Sequence, residues 1–408
     1  MINPFFVYLV SFVGVLLTYL LGWSNLYPNL SLSLIVFLIV TFLSSGFLGR
    51  YYYKINGTEF NLISYKKKYM YGVYFIIIGF LLEFIYTKGM PLTNSSIIYA
   101  DYKGIPTIHV ILYTFTIFYS IFLFYLFICT RKKILIGGFI VTLIPSFLLI
   151  SRGMLLNIFI GCFFVGLQYI VSKKLINKKV ILGISSSILV VFFIFGLFGN
   201  YRNNKQISSV ENKFSSDYIL SIGEASNGFR NSIIPKPFFW AYLYISSPLA
   251  NLQKNIDEYN PNINNVNFKK FITVEIIPDF ISKRISSTYV KDSSKKVKLI
   301  KPNLVVGTVF MGAYYYLGWV GIILIYLYMA IFIFIYLKLI KENKTYYVVG
   351  IASLCNIIAL NTFSNMLSYS GMLFQLVYPL AFFYFSKFIK IIKKNEYLNK
   401  KFKKLKRI

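Results

Sequence analysis

Residues 135–171 read LIGGFIVTLIPSFLLISRGMLLNIFIGCFFVGLQYIV, with one charged residue, Arg152, near the middle. As a single helix this stretch would be about 55 Å long at 1.5 Å per residue, against a hydrocarbon core of about 30 Å. It is therefore read as two helices joined by a tight turn at Ser151-Arg152-Gly153. The whole topology hangs on this break, because one helix in place of two would invert every later segment.

Working outward, similar apolar runs recur along the chain. Ten are long enough to be read as spans, at 4–22, 30–48, 69–87, 107–129, 133–150, 153–171, 180–199, 319–337, 346–362 and 372–391. The chain is 57% apolar and only 14% charged, where a soluble domain carries about 25% charged residues. The expected fold class is all-α: a polytopic membrane protein with about ten transmembrane helices and one long outer loop holding short interfacial helices. The run Phe5–Leu21 lacks a basic region before it and reads as a first span rather than a cleavable signal.

Charge sorts the connections. Bases in the 49–68 loop, at Arg131–Lys133, at Lys173–Lys179, at Lys338–Lys344 and in the tail from Lys387 number 25, all on one face of a ten-span chain. The opposite short loops hold only Lys88, Lys103 and Arg152. This is the positive-inside pattern, and it puts both termini in the cytoplasm and the 200–302 segment outside. That segment carries 15 of the 43 bases and 8 of the 13 acids; long loops translocate largely regardless of charge. The net charge of +30 is thus spent on topology, and no nucleic-acid partner is expected. The domain reading is 1–199 for spans 1–7, 200–318 for the outer segment, 319–391 for spans 8–10, and 392–408 for a basic tail on the anionic inner leaflet.

Aromatic patches at Phe238–Leu249, Phe268–Ile281 and Val305–Leu317 suit helices lying at the outer lipid surface, with a turn or bend expected at Ser247-Pro248. Three arginines stand out by position: Arg152 in the tight turn, Arg202 just after the seventh span, and Arg230 six residues after Glu224. A guanidinium holds two phosphate oxygens at once, so a diphosphate at the lipid interface suits all three; for each, a plain head-group contact is the alternative. Glu224 is the preferred general base, with Asp217, Glu275 and Asp279 as rivals. His109, the single histidine, sits at the outer end of the fourth span and also suits acid–base work, against a structural role. Glu83 lies within the third span, where an acid is a functional candidate unless it reaches water nearby. Tyr314, Tyr315 and Tyr316 either stack on sugars or anchor the interface. The cysteines, Cys129, Cys162 and Cys355, have no metal-ligand spacing. No nucleotide or metal motif is present, and no cofactor is expected.

The residues Thr308, Phe310, Tyr315, Gly318 and Gly321 in TVFMGAYYYLGWVG, with SRGMLL at 151–156 and YISSPLANL at 244–252, resemble the O-antigen polymerases, the Wzy or oligosaccharide repeat-unit polymerase family. The resemblance covers essentially the whole chain. It implies a GT-C type membrane glycosyltransferase at the periplasmic face of a bacterial inner membrane. Such an enzyme transfers a growing glycan from one undecaprenyl diphosphate to the non-reducing end of a lipid-linked repeat unit. It further implies diphosphate contacts from Arg152, Arg202 and Arg230, and a chain-length regulator as partner beside the membrane lipids. The rival classes are a lipid-linked oligosaccharide flippase and an O-antigen ligase. The ligases rely on an outer histidine, which the long segment here lacks.

Overall fold

The computed structural model describes residues 2–56, 60–93, 102, 104–205, 212–285, 297–389 and 392. Lys103, residues 291–296 and the tail from 393 lie outside the described residues. The described residues are helical, with no strand. In chain order the helices are α1 (Pro4–Leu20), α2 (Leu32–Asn56), α3 (Tyr71–Tyr86), α4 (Ile108–Thr130), α5 (Lys133–Leu148), α6 (Arg152–Ser172), α7 (Lys178–Asn204), α8 (Asp217–Ile222), α9 (Asn227–Arg230), α10 (Phe238–Glu258), α11 (Asn265–Phe271) and α12 (Asp279–Ile285). After these come α13 (Val309–Ile340), α14 (Tyr347–Leu360) and α15 (Ser370–Ile389).

Seven of them are long and apolar enough to cross a membrane: α2, α3 with its leading turn from Lys67, α4, α6, α7, α13 and α15. The other three helices at expected spans, α1, α5 and α14, are apolar but shorter. The 14 residues of α14 reach about 21 Å, less than the hydrocarbon core. The break in 135–171 is built by two local devices. Ile150 takes a left-handed backbone (φ +54°) and Ser151 N–H donates to Ser146 O at 2.8 Å, a Schellman-type stop to α5. Ser151 Oγ then accepts from Met154 N and caps α6.

The chain folds into two compact units, each drawn from separated parts of the sequence. The first comprises residues 1–57, 170–332 and 357–369, and the second 58–169, 333–356 and 370–408. In the first, α10 packs against α1, α7 and α8. Its aromatics, expected at the lipid surface, instead form part of the core: Phe239, Trp240 and Tyr242 are buried together with Phe229 and Ile219, and only Tyr244 of the patch keeps substantial exposure. Burying three large rings removes more apolar area than a surface position can. No turn forms at Ser247-Pro248, since the helix runs through Pro248. On the same helix, Asn251 and Asn255 face one way, four residues apart. They bind the backbone of Lys298, Ile300, Leu304 and Val306 at 2.6–3.0 Å, which holds the end of the long segment against α10.

The helix α13 is broken at Gly318, whose φ of 58° and ψ of −139° fall where only glycine is comfortable. The motif residues around it serve this geometry. Phe310 is fully buried against Phe12 and Phe37. Thr308 Oγ1 accepts from Phe310 N, and Gly321 faces the carbonyl of Ala313 with no room for a Cβ.

In the second unit α4 is the axis. It is 78% buried over its apolar window and packs against α3, α5 and the start of α15.

Candidate functional site

A polar cluster of the second unit forms where α3 ends and α4 begins. Glu83, in the last turn of α3, is fully buried. Its Oε1 lies 2.7 Å from His109 Nδ1 and accepts from Tyr102 Oη at 2.9 Å. Backbone closes over the pair at Gly104 (φ +57°): a Cβ there would stand 2.5 Å from Glu83 Oε1 and 2.8 Å from His109 Nδ1. Burial pushes the Tyr102 phenol up, so it remains a donor. Glu83 Oε2 is buried with no hydrogen-bond partner among the described residues. The histidine keeps 18% of its side chain exposed.

Arg152 starts α6 at the same end of this unit. The segment after α3 is tied to the end of α5 by Leu92 N–H donating to Leu148 O at 3.1 Å. Gly153 lies against the Tyr113 hydroxyl, 3.6 Å from an ideal Cβ, and the Tyr113 ring is 6.1 Å from that of His109. The Arg152 side chain is exposed and makes no ion pair among the described residues.

The remaining candidates belong to the first unit. Arg202, in the last turn of α7, lines a cavity of about 390 Å³. The walls of the cavity are Tyr218, Trp240, Tyr244 and Phe363, aliphatic residues from α8, α10 and the 303–306 segment, and the amides Asn203 and Asn303. Ser247, also on its wall, is 1% exposed and its hydroxyl has no partner among the described residues. A cation at an apolar, aromatic cavity with one buried hydroxyl suits an amphiphile with an anionic head.

Arg230 is spent on the fold: Nε donates to Ala225 O at 2.9 Å and Nη2 to Leu220 O at 2.7 Å. Glu224 pairs with Lys301 at 2.7 Å rather than with Arg230, from a left-handed backbone (φ +46°) beside Ser24. Of the three tyrosines, Tyr314 and Tyr316 are buried, and Tyr315 stacks on Tyr259 with ring centroids 4.8 Å apart. Glu275, a rival base, is 2% exposed on a π-turn at Ile272–Ile276, held by Asn365. No group of three or more His, Cys, Asp or Glu among the described residues is placed to hold a metal ion.

The sequence singles out Glu83 and His109 separately but carries no sign that they meet. Tyr102, Tyr113 and Ser247 have no sequence signal, because loop tyrosines and helix serines are common and only packing gives these a position. No family model, no curated protein and no solved structure matches this chain.

Proposed function

We propose that this chain lengthens a surface glycan by moving it between polyprenyl diphosphates, as an O-antigen-type polymerase, with ten spans, cytoplasmic termini and the 200–302 segment on the outer side. The observation that carries the reading is the Arg202 cavity. A lipid diphosphate is an anion attached to a long apolar chain, and the cavity offers one arginine, without an ion pair among the described residues, beside largely aromatic and aliphatic walls. In such a transfer the anomeric carbon is already activated by its leaving group. The protein's task is to stabilise the charge growing on the departing diphosphate and to hold two tethered substrates in register. Arginine suits the first task because it stays charged and grips oxygens in pairs. The Tyr259–Tyr315 stack, half-buried on both rings, supplies a flat edge for a sugar ring.

The test uses the purified chain in lipid vesicles, given only lipid-linked repeat units extracted from the source cell. Lengthening of the glycan supports the reading, with a drop of at least about tenfold in Arg202→Ala, the scale of one lost charged contact. Units that cross the bilayer without growing would replace it with the flippase reading.

A further inference from the structure

The geometry points to Glu83, Tyr102 and His109 as a proton-accepting site for a sugar hydroxyl, with His109 Nε2 as the base and Glu83 as the residue that positions it. This rests on the glycosyl-transfer reading above and adds the group that activates the acceptor.

The argument begins with a buried carboxylate. Glu83 is 0% exposed, and an ionised group there needs a counter-charge or it takes up a proton. Among the described residues no lysine or arginine forms an ion pair with it, and the one group beside it that can become cationic is the His109 ring. Oε1 is approached by two groups, and the phenol of Tyr102 is a donor to it. With Oε1 accepting twice, the ring proton of His109 sits on Nδ1. The lone pair then falls on Nε2, the nitrogen with no hydrogen bond inside the described residues. This is the arrangement by which a carboxylate fixes a histidine's tautomer and stabilises the imidazolium formed later.

Three further observations favour a base over a structural ion pair. Among the described residues the carboxylate is held on one oxygen, and Oε2 is buried without a hydrogen-bond partner. Gly104 leaves no room for a Cβ beside Oε1 and Nδ1, so the chain passes close over both atoms. The pair also stands at the end of the unit where α6 begins with the exposed Arg152, with Tyr113 between them. The groups facing the ring from neighbouring elements are Glu83 on α3, Tyr102 from the α3–α4 segment and Tyr113 on α4 itself. Tyr378 of α15 binds one turn further along, at Ile111 O and Thr114.

In the step assigned to this site, the O–H bond of the acceptor sugar breaks and its proton goes to Nε2. The oxygen's electron pair forms the new bond to the anomeric carbon of the donor. The bond from that carbon to the diphosphate breaks, and the diphosphate leaves with the electron pair. Glu83 keeps its hydrogen bond to Nδ1 and stands beside a neutral imidazole before the transfer and an imidazolium after it.

Because His109 is the single histidine of the chain, the acylated imidazole, followed apart from acylated lysine and tyrosine, reports this residue alone. Diethyl pyrocarbonate, which acylates neutral imidazole, is applied to the purified protein in vesicles with and without saturating lipid-linked repeat units from the source cell. Protection of His109 by those units is the expected result; an unreactive His109, or one whose reaction the units leave unchanged, overturns the proposal. In the lengthening assay His109→Ala falls by about 10²–10⁴-fold, the usual weight of a general base, and added imidazole restores part of the loss. Glu83→Gln lowers kcat with KM unchanged, and Glu83→Asp recovers part of it. An undiminished kcat in His109→Ala or in Glu83→Gln would also overturn it, while leaving the polymerase reading intact. Protection of His109 in a wild type that never lengthens glycan would retire the polymerase reading and keep the acceptor site.

Discussion

The indole of Trp240 donates to Asn200 Oδ1 at 2.7 Å and joins α10 to the end of α7. The same amide donates from Nδ2 to Phe214 O at 3.0 Å and Ser216 Oγ at 2.8 Å. One buried side chain thus directs the chain as it leaves α7 and sets a wall of the cavity that Arg202 borders. In Asn200→Ala the indole N–H is left buried without a partner, a loss of about 1–3 kcal/mol. Thermal unfolding in detergent should show a lower midpoint; an unchanged midpoint would mean that the bond is not what holds this corner.

Close approach, not flexibility, explains Gly196. A Cβ at this position would stand 2.0 Å from the Pro237 carbonyl, so α7 and the start of α10 touch through backbone. Gly196→Ala should force them apart at a cost of about 1–3 kcal/mol. Gly183→Ala, with nothing within 4 Å of its Cβ position, is the control and should melt no lower than wild type.

Gly318 is constrained by conformation as well as by space. Its positive φ is costly for any other residue, and a Cβ would meet Pro261 at 2.9 Å. Gly318→Ala is expected to destabilise the break in α13 by about 1–3 kcal/mol. Wild-type yield and melting behaviour in that variant would argue against a strained turn here.

The two arginines of the first unit should separate cleanly. Removing Arg230 takes donors from the carbonyls of Ala225 and Leu220, and bonds from a charged donor are worth about 1.5–3 kcal/mol. Arg230→Ala should therefore melt earlier. Arg202 is exposed, with no ion pair among the described residues, and Arg202→Ala should stay within about 0.5 kcal/mol of wild type while losing glycan lengthening. The opposite pattern would move the anion site from Arg202 to Arg230.

Orientation is open to labelling. Ile233 is fully exposed in the long segment. Ile233→Cys in a background with Cys129, Cys162 and Cys355 changed to Ala should react with a membrane-impermeant maleimide on intact spheroplasts. Reaction only after lysis would place the segment inside and reverse the topology.

Much of the helical framework was legible because a span is a local, one-dimensional signal. Runs of apolar residues of a given length state their own structure. That 135–171 splits in two could be read from its length, but the break falls at 149–151, with a left-handed Ile150 and a Ser151 cap, and Arg152 and Gly153, expected in the turn, already lie in α6. The aromatic patch at 238–249 was harder. Trp and Tyr suit both a lipid interface and a protein core, and only the packing of α10 against α1, α7 and α8 decides for the core. The pairing of Glu224 was equally out of reach: Arg230 is near in sequence, yet Lys301, 77 residues on, supplies the charge.

The amino-acid sequence by itself determined that this is a helical chain able to enter a membrane and where its polar residues must gather, because charge is excluded from hydrocarbon wherever it occurs. Tertiary structure alone decided which of those polar residues have a partner. It joined Glu83 to His109 across 26 positions and spent Arg230 on backbone carbonyls. It also left Arg202 facing a cavity. A side chain's chemistry depends on what lies within about 3–4 Å of it, and contacts at that range between distant residues are fixed by packing.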